Sequence, residues 1–275
     1  MNDFLEDVLV VLVIYRMKIS ETPAYHSLTS ALNGANDSGS LFIYDNSPGV
    51  QQLSDITTWS IQYVHDPSNP GVSKAYNQGF QFAKQRNKKW MLLVDQDTTF
   101  PPNCFEEYFK AAMKYSIVVP TLRDKFGIVS PLKFYFGGGQ RVKNLGNKRV
   151  LKLNDFLFHN SGLLVATEIF ERAGGYDENL RLDFSDFAFV HKLRNHNEEF
   201  ALASFSCAHN LATSEVKTRD ERLARFESYV LAGTYFKRVY DPTDHLLSMR
   251  IFLRGLKFCF NYGTFTFMLP IFRRK

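Results

Sequence analysis

The stretch Lys88–Pro102, KKWMLLVDQDTTFPP, decides the fold. Trp90–Val94 is a short unbroken apolar run, the pattern of a strand covered on both faces. It stops at Asp95-Gln96-Asp97, two carboxylates one residue apart where the strand must emerge into water. Pro101-Pro102 opens a new element, and Cys104–Tyr115 repeats its apolar residues at helical spacing. In an open α/β sheet, ligands bind in the crevice at the carboxyl ends of the strands. A D-x-D placed there can give oxygen ligands to a hard divalent cation whose other ligands are phosphate oxygens. Most D-x-D turns are only solvated loop ends, so the surrounding chain has to decide.

Working outward, the same alternation recurs. Val8–Tyr15 (VLVVLVIY) is continuous and β-branched, the mark of a central strand. Pro23–Leu32 has helical spacing and ends near Gly34. Leu41–Tyr44 is a second strand, closed by the turn Asp45-Asn46-Ser47-Pro48-Gly49. Ile61–Val64 is a third, followed by the loop Asp66–Gly71 and a helix over Val72–Arg86. Strands alternating with helices at this spacing predict a Rossmann-like α/β fold, a mostly parallel central sheet flanked by helices. The second half is less regular. Ile117–Pro120, Phe126–Pro131, Leu163–Ala166 and Ala201–Phe205 read as strands, the last delivering Cys207-Ala208-His209 to its end. Thr167–Ala173, stopped by Gly174-Gly175, and Asp186–Asn195 read as helices. Gly137–Lys152 reads as a loop or hairpin. Arg219–Val239 and Asp241–Tyr262 are amphipathic helices.

The chain has 275 residues, 45% hydrophobic and 22% charged, enough for one large α/β domain with an appendage. Cys104, Cys207 and Cys259 are far apart and odd in number, which excludes a disulfide framework or zinc spacing and predicts a reducing cytoplasm. Met1–Asp7 carries acids where a signal peptide has bases, and no stretch reaches the roughly 20 apolar residues of a membrane span. From Arg219 onward there are 11 Lys/Arg against 5 Asp/Glu, a balance of +6. The rest of the chain holds 22 against 23, so the net +5 comes from the tail. This basic, aromatic tail reads either as a pair of solvated helices or as a peripheral contact with an anionic membrane surface, the inner face of the cytoplasmic membrane.

Several side chains could carry chemistry. Asp45 ends the second strand, where its carboxylate could bond a base or ribose, or merely close an Asx turn. Gly71 turns a loop into a helix whose N–H groups could face a diphosphate, with Lys74 one turn in. Asp186 opens a helix and could be a plain cap or a general base. Partial burial beside Asp183 would raise its pKa toward a useful value. His209 ends a strand; a neutral imidazole beside carboxylate and phosphate oxygens suits Mn²⁺ better than Mg²⁺. His159, His191 and His196 fall in no motif.

Tyr44-Asp45-Asn46-Ser47, Asn69-Pro70-Gly71-Val72 with Asn77 and Gly79, Leu93-Val94-Asp95-Gln96-Asp97-Thr98, Asn160-Ser161-Gly162, Gly174-Gly175-Tyr176-Asp177 and Leu182-Asp183-Phe184-Ser185-Asp186 occur in this order. Together, from about Val8 to His209, they resemble the family 2 glycosyltransferases of GT-A fold, particularly the rhamnosyl- and galactofuranosyltransferase-like members. The resemblance implies that Asp45 meets the nucleotide base, that Asp95 approaches the ribose or base, and that Gly71, Lys74, Asn77 and Gln96 line the nucleotide side. It implies that Asp97, with His209, holds a Mn²⁺ or Mg²⁺ ion, that Asn160, Ser161, Gly162 and Asp183 face the donor or acceptor sugar, and that Asp186 is the base. The implied reaction is inverting transfer from a nucleotide-diphosphate sugar (dTDP-rhamnose or a UDP-hexose) to a lipid-linked surface polysaccharide, with no nucleic acid partner. The implied organisation is a domain over 1–215 (nucleotide half 1–120, acceptor half 121–215) and a helical segment over 216–275.

Two features bear on rivals. The family often has acids at the positions of Ser185 and Ala188, and their loss would suit a catalytically inactive nucleotide-sugar-binding module in a polysaccharide assembly complex. A nucleotidyltransferase would need a Gly-rich basic loop after the first strand, and Arg16-Met17-Lys18-Ile19 lacks glycine.

Overall fold

Seven apolar residues in a row make Val8–Ile14 a strand buried along its whole length, and its period-2 alternation sorts the molecule into two cores. Leu9, Val11 and Val13 face one, Val8, Val10, Leu12 and Ile14 the other. The computed structural model describes residues 2–35, 38–53, 58–135, 138–209, 218–243 and 245–272. Its strands are β1 Val8–Ile14, β2 Gly39–Asp45, β3 Trp59–His65, β4 Trp90–Asp95, β5 Thr98–Thr99, β6 Ile117–Asp124, β7 Gly127–Ser130, β8 Leu132–Phe134, β9 Gly139–Gln140, β10 Val150–Lys152, β11 Phe156–Leu157, β12 Leu163–Ala166 and β13 Glu199–His209. The helices are α1 Asn2–Asp7, α2 Pro23–Ala35, α3 Val72–Gln85, α4 Cys104–Ala112, α5 Thr167–Arg172, α6 Ser185–Arg194, α7 Arg219–Tyr240, α8 His245–Tyr262 and α9 Leu269–Phe272.

The main sheet runs β10-β13-β6-β12-β4-β1-β2-β3. Strands β3, β2, β1 and β4 are mutually parallel, as are β6 and β13, and β12 runs antiparallel between β4 and β6. The sheet is thus mostly parallel and flanked by helices, as the alternating pattern predicts. Asp45 and Asp95 both end parallel strands, so the topology brings their carboxyl ends to one edge of the sheet.

Four details depart from the sequence reading. Strand β6 does not stop at Pro120 but continues to Asp124. Proline has no N–H to donate, and the neighbouring strand accommodates this: the β13–β6 register slips between Leu202 and Ser206, opposite Pro120. Strand β13 itself is longer than expected, because beyond that bulge it goes on to His209. The described part of 137–152 is neither all loop nor a hairpin of its own; β9 joins β8 and β11 in a small second sheet, and β10 edges the main one. Helix α1 was unexpected; its Phe4 and Leu5 pack into the core around Leu12 and Leu92.

The tail helices form a third core with Leu180, Phe184 and Ala188, residues that lie just before and within α6. The expected division between 215 and 216 falls at 210–217, outside the described residues.

Candidate active site

Strand β4 delivers Asp95 to the sheet edge, where Tyr76 of α3 donates its hydroxyl to Asp95 Oδ1 at 2.7 Å. Burial first, then the charges of Asp95 and Asp97, push the Tyr76 phenol well above its ordinary value, so it remains a donor. Gln96 points the other way and clamps the end of β1, accepting from Tyr15 N at 2.7 Å and donating to Tyr15 O at 3.2 Å.

A buried hydrogen-bonded chain leads onward from the D-x-D. Asp95 N–H donates to Ser161 Oγ at 3.0 Å, Ser161 Oγ lies 2.7 Å from Thr98 Oγ1, and Thr98 Oγ1 lies 2.7 Å from His209 Nδ1. His209 reaches this place because the end of β13 pairs antiparallel with β5, His209 opposite Thr98. Its Nδ1 is 3.5 Å from Asp97 Oδ1. Burial holds the His209 imidazole below its ordinary value against the opposing charges of Asp95 and Asp124, so the ring is neutral, the form that ligates metals. Among the described residues no three His, Cys, Asp or Glu side chains could hold a metal ion by themselves. One carboxylate and one neutral imidazole fit a divalent cation whose remaining ligands are oxygens from outside the protein.

On the other side of Ser161, Asn160 Oδ1 accepts from Tyr176 OH at 2.7 Å, and its amide reaches Ser185 Oγ at 3.5 Å. The Tyr176 ring packs 5.2 Å from that of Tyr76 and stacks 4.3 Å from Phe189 of α6. This aromatic bridge links the D-x-D to the start of α6, where Asp186 stands. Asp186 Oδ2 accepts from His159 Nδ1 at 2.7 Å. Burial lowers the imidazole's pKa, but the hydrogen bond and charge of Asp186, helped by Asp95, outweigh burial and the charge of Arg141, leaving it raised.

The remaining predicted residues serve other contacts. Asp45 is fully buried: Oδ1 accepts from Ser47 N at 2.8 Å, and Oδ2 from Tyr63 OH at 2.7 Å and Gln51 Nε2 at 3.0 Å. It therefore closes an Asx turn here. Lys74 pairs with Asp66 at 3.3 Å. At the start of α3, Val72 N–H donates to Arg181 O at 2.8 Å and the Ser73 hydroxyl to Leu180 O at 2.5 Å. A Cβ on Gly71 would overlap the Arg181 carbonyl oxygen. Asn77 binds the backbone of Tyr176 in both directions, at 2.8 and 3.0 Å. Gly162 has φ +81° and lies against Pro120, with its N–H on Leu93 O at 2.7 Å. Asp183 is not a bare neighbour of Asp186, because Arg225 of α7 binds it through both terminal nitrogens.

The sequence reading gave no role to His159, Tyr76, Tyr176, Thr98 or Arg225, although Thr98 and Tyr176 stand within its motifs. For His159 the local signal was adjacency, since it precedes Asn160-Ser161-Gly162.

A family model described as "Glycosyl transferase family 2" matches residues 20–174, a span that holds the D-x-D and Asn160–Gly162 but ends before Asp186 and His209. Among solved structures the chain is similar to GalNAc-T7 with UDP, GalNAc and Mn²⁺, at 13% identity over 95% of this chain and 55% of that one, TM-score 0.56. It is also similar to S. aureus TarS residues 1–349 in complex with UDP-GlcNAc, at 12% identity over 93% of this chain and 73% of that one, TM-score 0.52. Against the longer S. aureus TarS chain the identity is 12% and the TM-score 0.51, covering 93% of this chain but 44% of that one, so this chain spans less than half its length. No curated protein matches the sequence. These likenesses are of fold, and the neighbours are GT-A glycosyltransferases.

Proposed function

Since the chain belongs to glycosyl transferase family 2, we propose that it is an inverting glycosyltransferase that moves a sugar from a nucleotide diphosphate to a lipid-linked surface glycan. The observation that carries this reading is the convergence just described. Residues 95, 97, 98, 159–161, 176, 186 and 209, scattered along the chain, are tied into one constellation by hydrogen bonds and close polar contacts and by the packed rings of Tyr76 and Tyr176. A single displacement needs a leaving group stabilised on one side of the anomeric carbon and a base on the other. The D-x-D with His209 suits the first task, and the Asp186 end of the site the second. Asp97 and His209 would hold a Mn²⁺ or Mg²⁺ ion, which supplies positive charge to the departing diphosphate. Asp95 and Tyr76 orient the nucleotide, and Asn160, Ser161 and Asp183 shape the sugar side. For the base to reach Asp45, Gln51 or Tyr63 must yield it. UDP in two solved neighbours of the same fold makes a UDP-hexose the first donor to try, ahead of dTDP-rhamnose.

The tail suits a lipid-linked acceptor. Along α8, Leu246, Met249, Leu253 and Phe260 stand on one face at helical spacing, 43%, 43%, 51% and 85% exposed, and beyond α8 Phe265 and Phe272 are 82% and 71% exposed. Lys257 borders it. Among the described residues no helix is long and apolar enough to cross a membrane. An apolar stripe edged by cations matches an anionic lipid surface, entered to the depth of the headgroups.

The site reading is tested by calorimetry and thermal shift with UDP, dTDP, GDP and their sugars, with and without Mn²⁺. Ligand at about 100 times its Kd adds roughly 2.7 kcal/mol of stability. Asp97→Ala should lose the Mn²⁺-dependent part of that gain, and unchanged affinity would reduce the D-x-D to a turn. Donor binding without hydrolysis or transfer would instead assign a non-catalytic binding module, the reading that Ser185 and the fully buried Ala188 favour.

A further inference from the structure

We propose that the group receiving the acceptor's proton is Nε2 of His159, with Asp186 as the carboxylate that orients and charges the imidazole; this rests on the transferase reading above. The geometry points there because Asp186 is already engaged on both oxygens. Oδ2 accepts from His159 Nδ1 at 2.7 Å, and Oδ1 from Phe187 N at 2.9 Å. A carboxylate can only accept, so Nδ1 carries the hydrogen of the neutral ring and the lone pair lies on Nε2. That atom has no protein partner among the described residues. The His159 side chain is 25% exposed against 15% for Asp186, so the imidazole is the more accessible of the two.

The ring is also fixed in place. His159 N–H donates to Ser130 Oγ at 3.0 Å, and the next two residues, Asn160 and Ser161, are held by Tyr176 and Asp95. The ring therefore sits between the base helix α6 and the D-x-D. Its titration answers to Asp186 and Asp95, which favour the cation, and to burial and Arg141, which oppose it, with His209 as the other imidazole within electrostatic reach. The balance favours an imidazole that is more basic than usual, suited to general-base work near neutral pH.

The step balances. The acceptor oxygen forms its bond to the anomeric carbon while its proton moves to Nε2. The carbon–oxygen bond to the diphosphate breaks, and its electron pair leaves on the β-phosphate oxygen. The resulting imidazolium is paired with the Asp186 carboxylate and later returns the proton to solvent. This arrangement has the logic of a carboxylate–imidazole pair in hydrolases, where the carboxylate sets tautomer and orientation without taking the proton.

Two measurements on the full chain test this. Nitrogen and carbon NMR of labelled histidine should show neutral His159 as the Nδ1–H tautomer with a midpoint above the ordinary value of about 6.5, falling in Asp186→Asn. An Nε2–H tautomer would overturn the proposal whatever the activity. Donor hydrolysis by water, followed with UDP-GlcNAc, UDP-galactose and dTDP-rhamnose plus Mn²⁺, should lose activity on the acid side at that same midpoint. His159→Gln should lower kcat by about 10²–10⁴ and abolish that limb, while calorimetric UDP·Mn²⁺ affinity stays within about twofold. An acid limb in the carboxylate range, or substantial kcat in His159→Gln, overturns the His159 assignment and leaves the transferase reading intact. Failure of the native chain to bind UDP·Mn²⁺ strikes the transferase reading itself.

Discussion

Arg225 is the place to test whether the tail is part of the active-site architecture. Its guanidinium on α7 grips Asp183, three residues before Asp186. The two side chains are 35% and 18% exposed, between a surface pair and a buried one. Exposed pairs are worth ~0–1 kcal/mol, whereas stranding one member of a buried pair costs ~3–5 kcal/mol. Discounting for solvent screening, Arg225→Met should destabilise by roughly 2 kcal/mol, and Asp183→Asn by about the same. Either change removes the whole interaction, so the double variant should lose little more than a single one. The coupling energy should then be about 1–2 kcal/mol. At about 2 °C per kcal/mol for a chain of this size, each single variant should melt about 4 °C lower. Guanidinium denaturation of the four proteins gives the coupling, and kcat for donor hydrolysis should fall in Arg225→Met, since an unpaired Asp183 can swing toward the base. Additivity within about 0.3–0.5 kcal/mol would refute this reasoning. The tail would then be held by its apolar core alone, and the ion pair would position nothing.

Two further outcomes follow from close approaches and exposed surface. Gly71 has φ +100° and no room for a Cβ against Arg181, so Gly71→Ala should cost about 3 kcal/mol and depress kcat by shifting the Asp186 segment. Gly49→Ala, with nothing within 4 Å of its Cβ, is the control that thermal melts should leave unchanged. Phe260→Ser with Phe265→Ser should weaken co-sedimentation with phosphatidylglycerol vesicles by at least about tenfold without lowering the melting temperature, and undiminished binding would remove the tail from the membrane.

The elements that were readable in advance are those whose signal is local. The unbroken runs at β1 and β4 and the helical spacing of α3 needed no partner to be recognised, and the apolar run already told that β4 ends at Asp95. What could not be read depends on distant chain. A helix start after Asn-Pro-Gly does not reveal that its first N–H, at Val72, meets a carbonyl at Arg181 more than a hundred residues on. Strand β6 passes its proline only because β13 bulges opposite. His209 meets Asp97 because two residues after the D-x-D pair with the end of β13. His159 sits in no motif, and its chemistry is conferred by a carboxylate 27 residues away.

One segment explains why these distant contacts matter together. Residues 176–188 touch α3 through Asn77 and Arg181, the neighbours of the D-x-D (Asn160 and Tyr76) through Tyr176, and the tail through Asp183 and the core around Phe184. Phe184 takes a left-handed φ of +63° at the start of α6, a conformation costing ~1–3 kcal/mol in a non-glycine residue. Its ring stacks 5.5 Å from Phe236 and packs 5.1 Å from Tyr229, both on α7. Burying that side chain contributes about 2–3 kcal/mol, enough to offset the strain only while the tail is docked. The backbone turn that aims Asp186 at His159 is therefore held by helices that follow the main-sheet strands in sequence. Loosening the tail should misplace the base pair before it unfolds the sheet. On the function proposed above, a change that moves α7 should therefore lower acceptor activation before it lowers nucleotide binding.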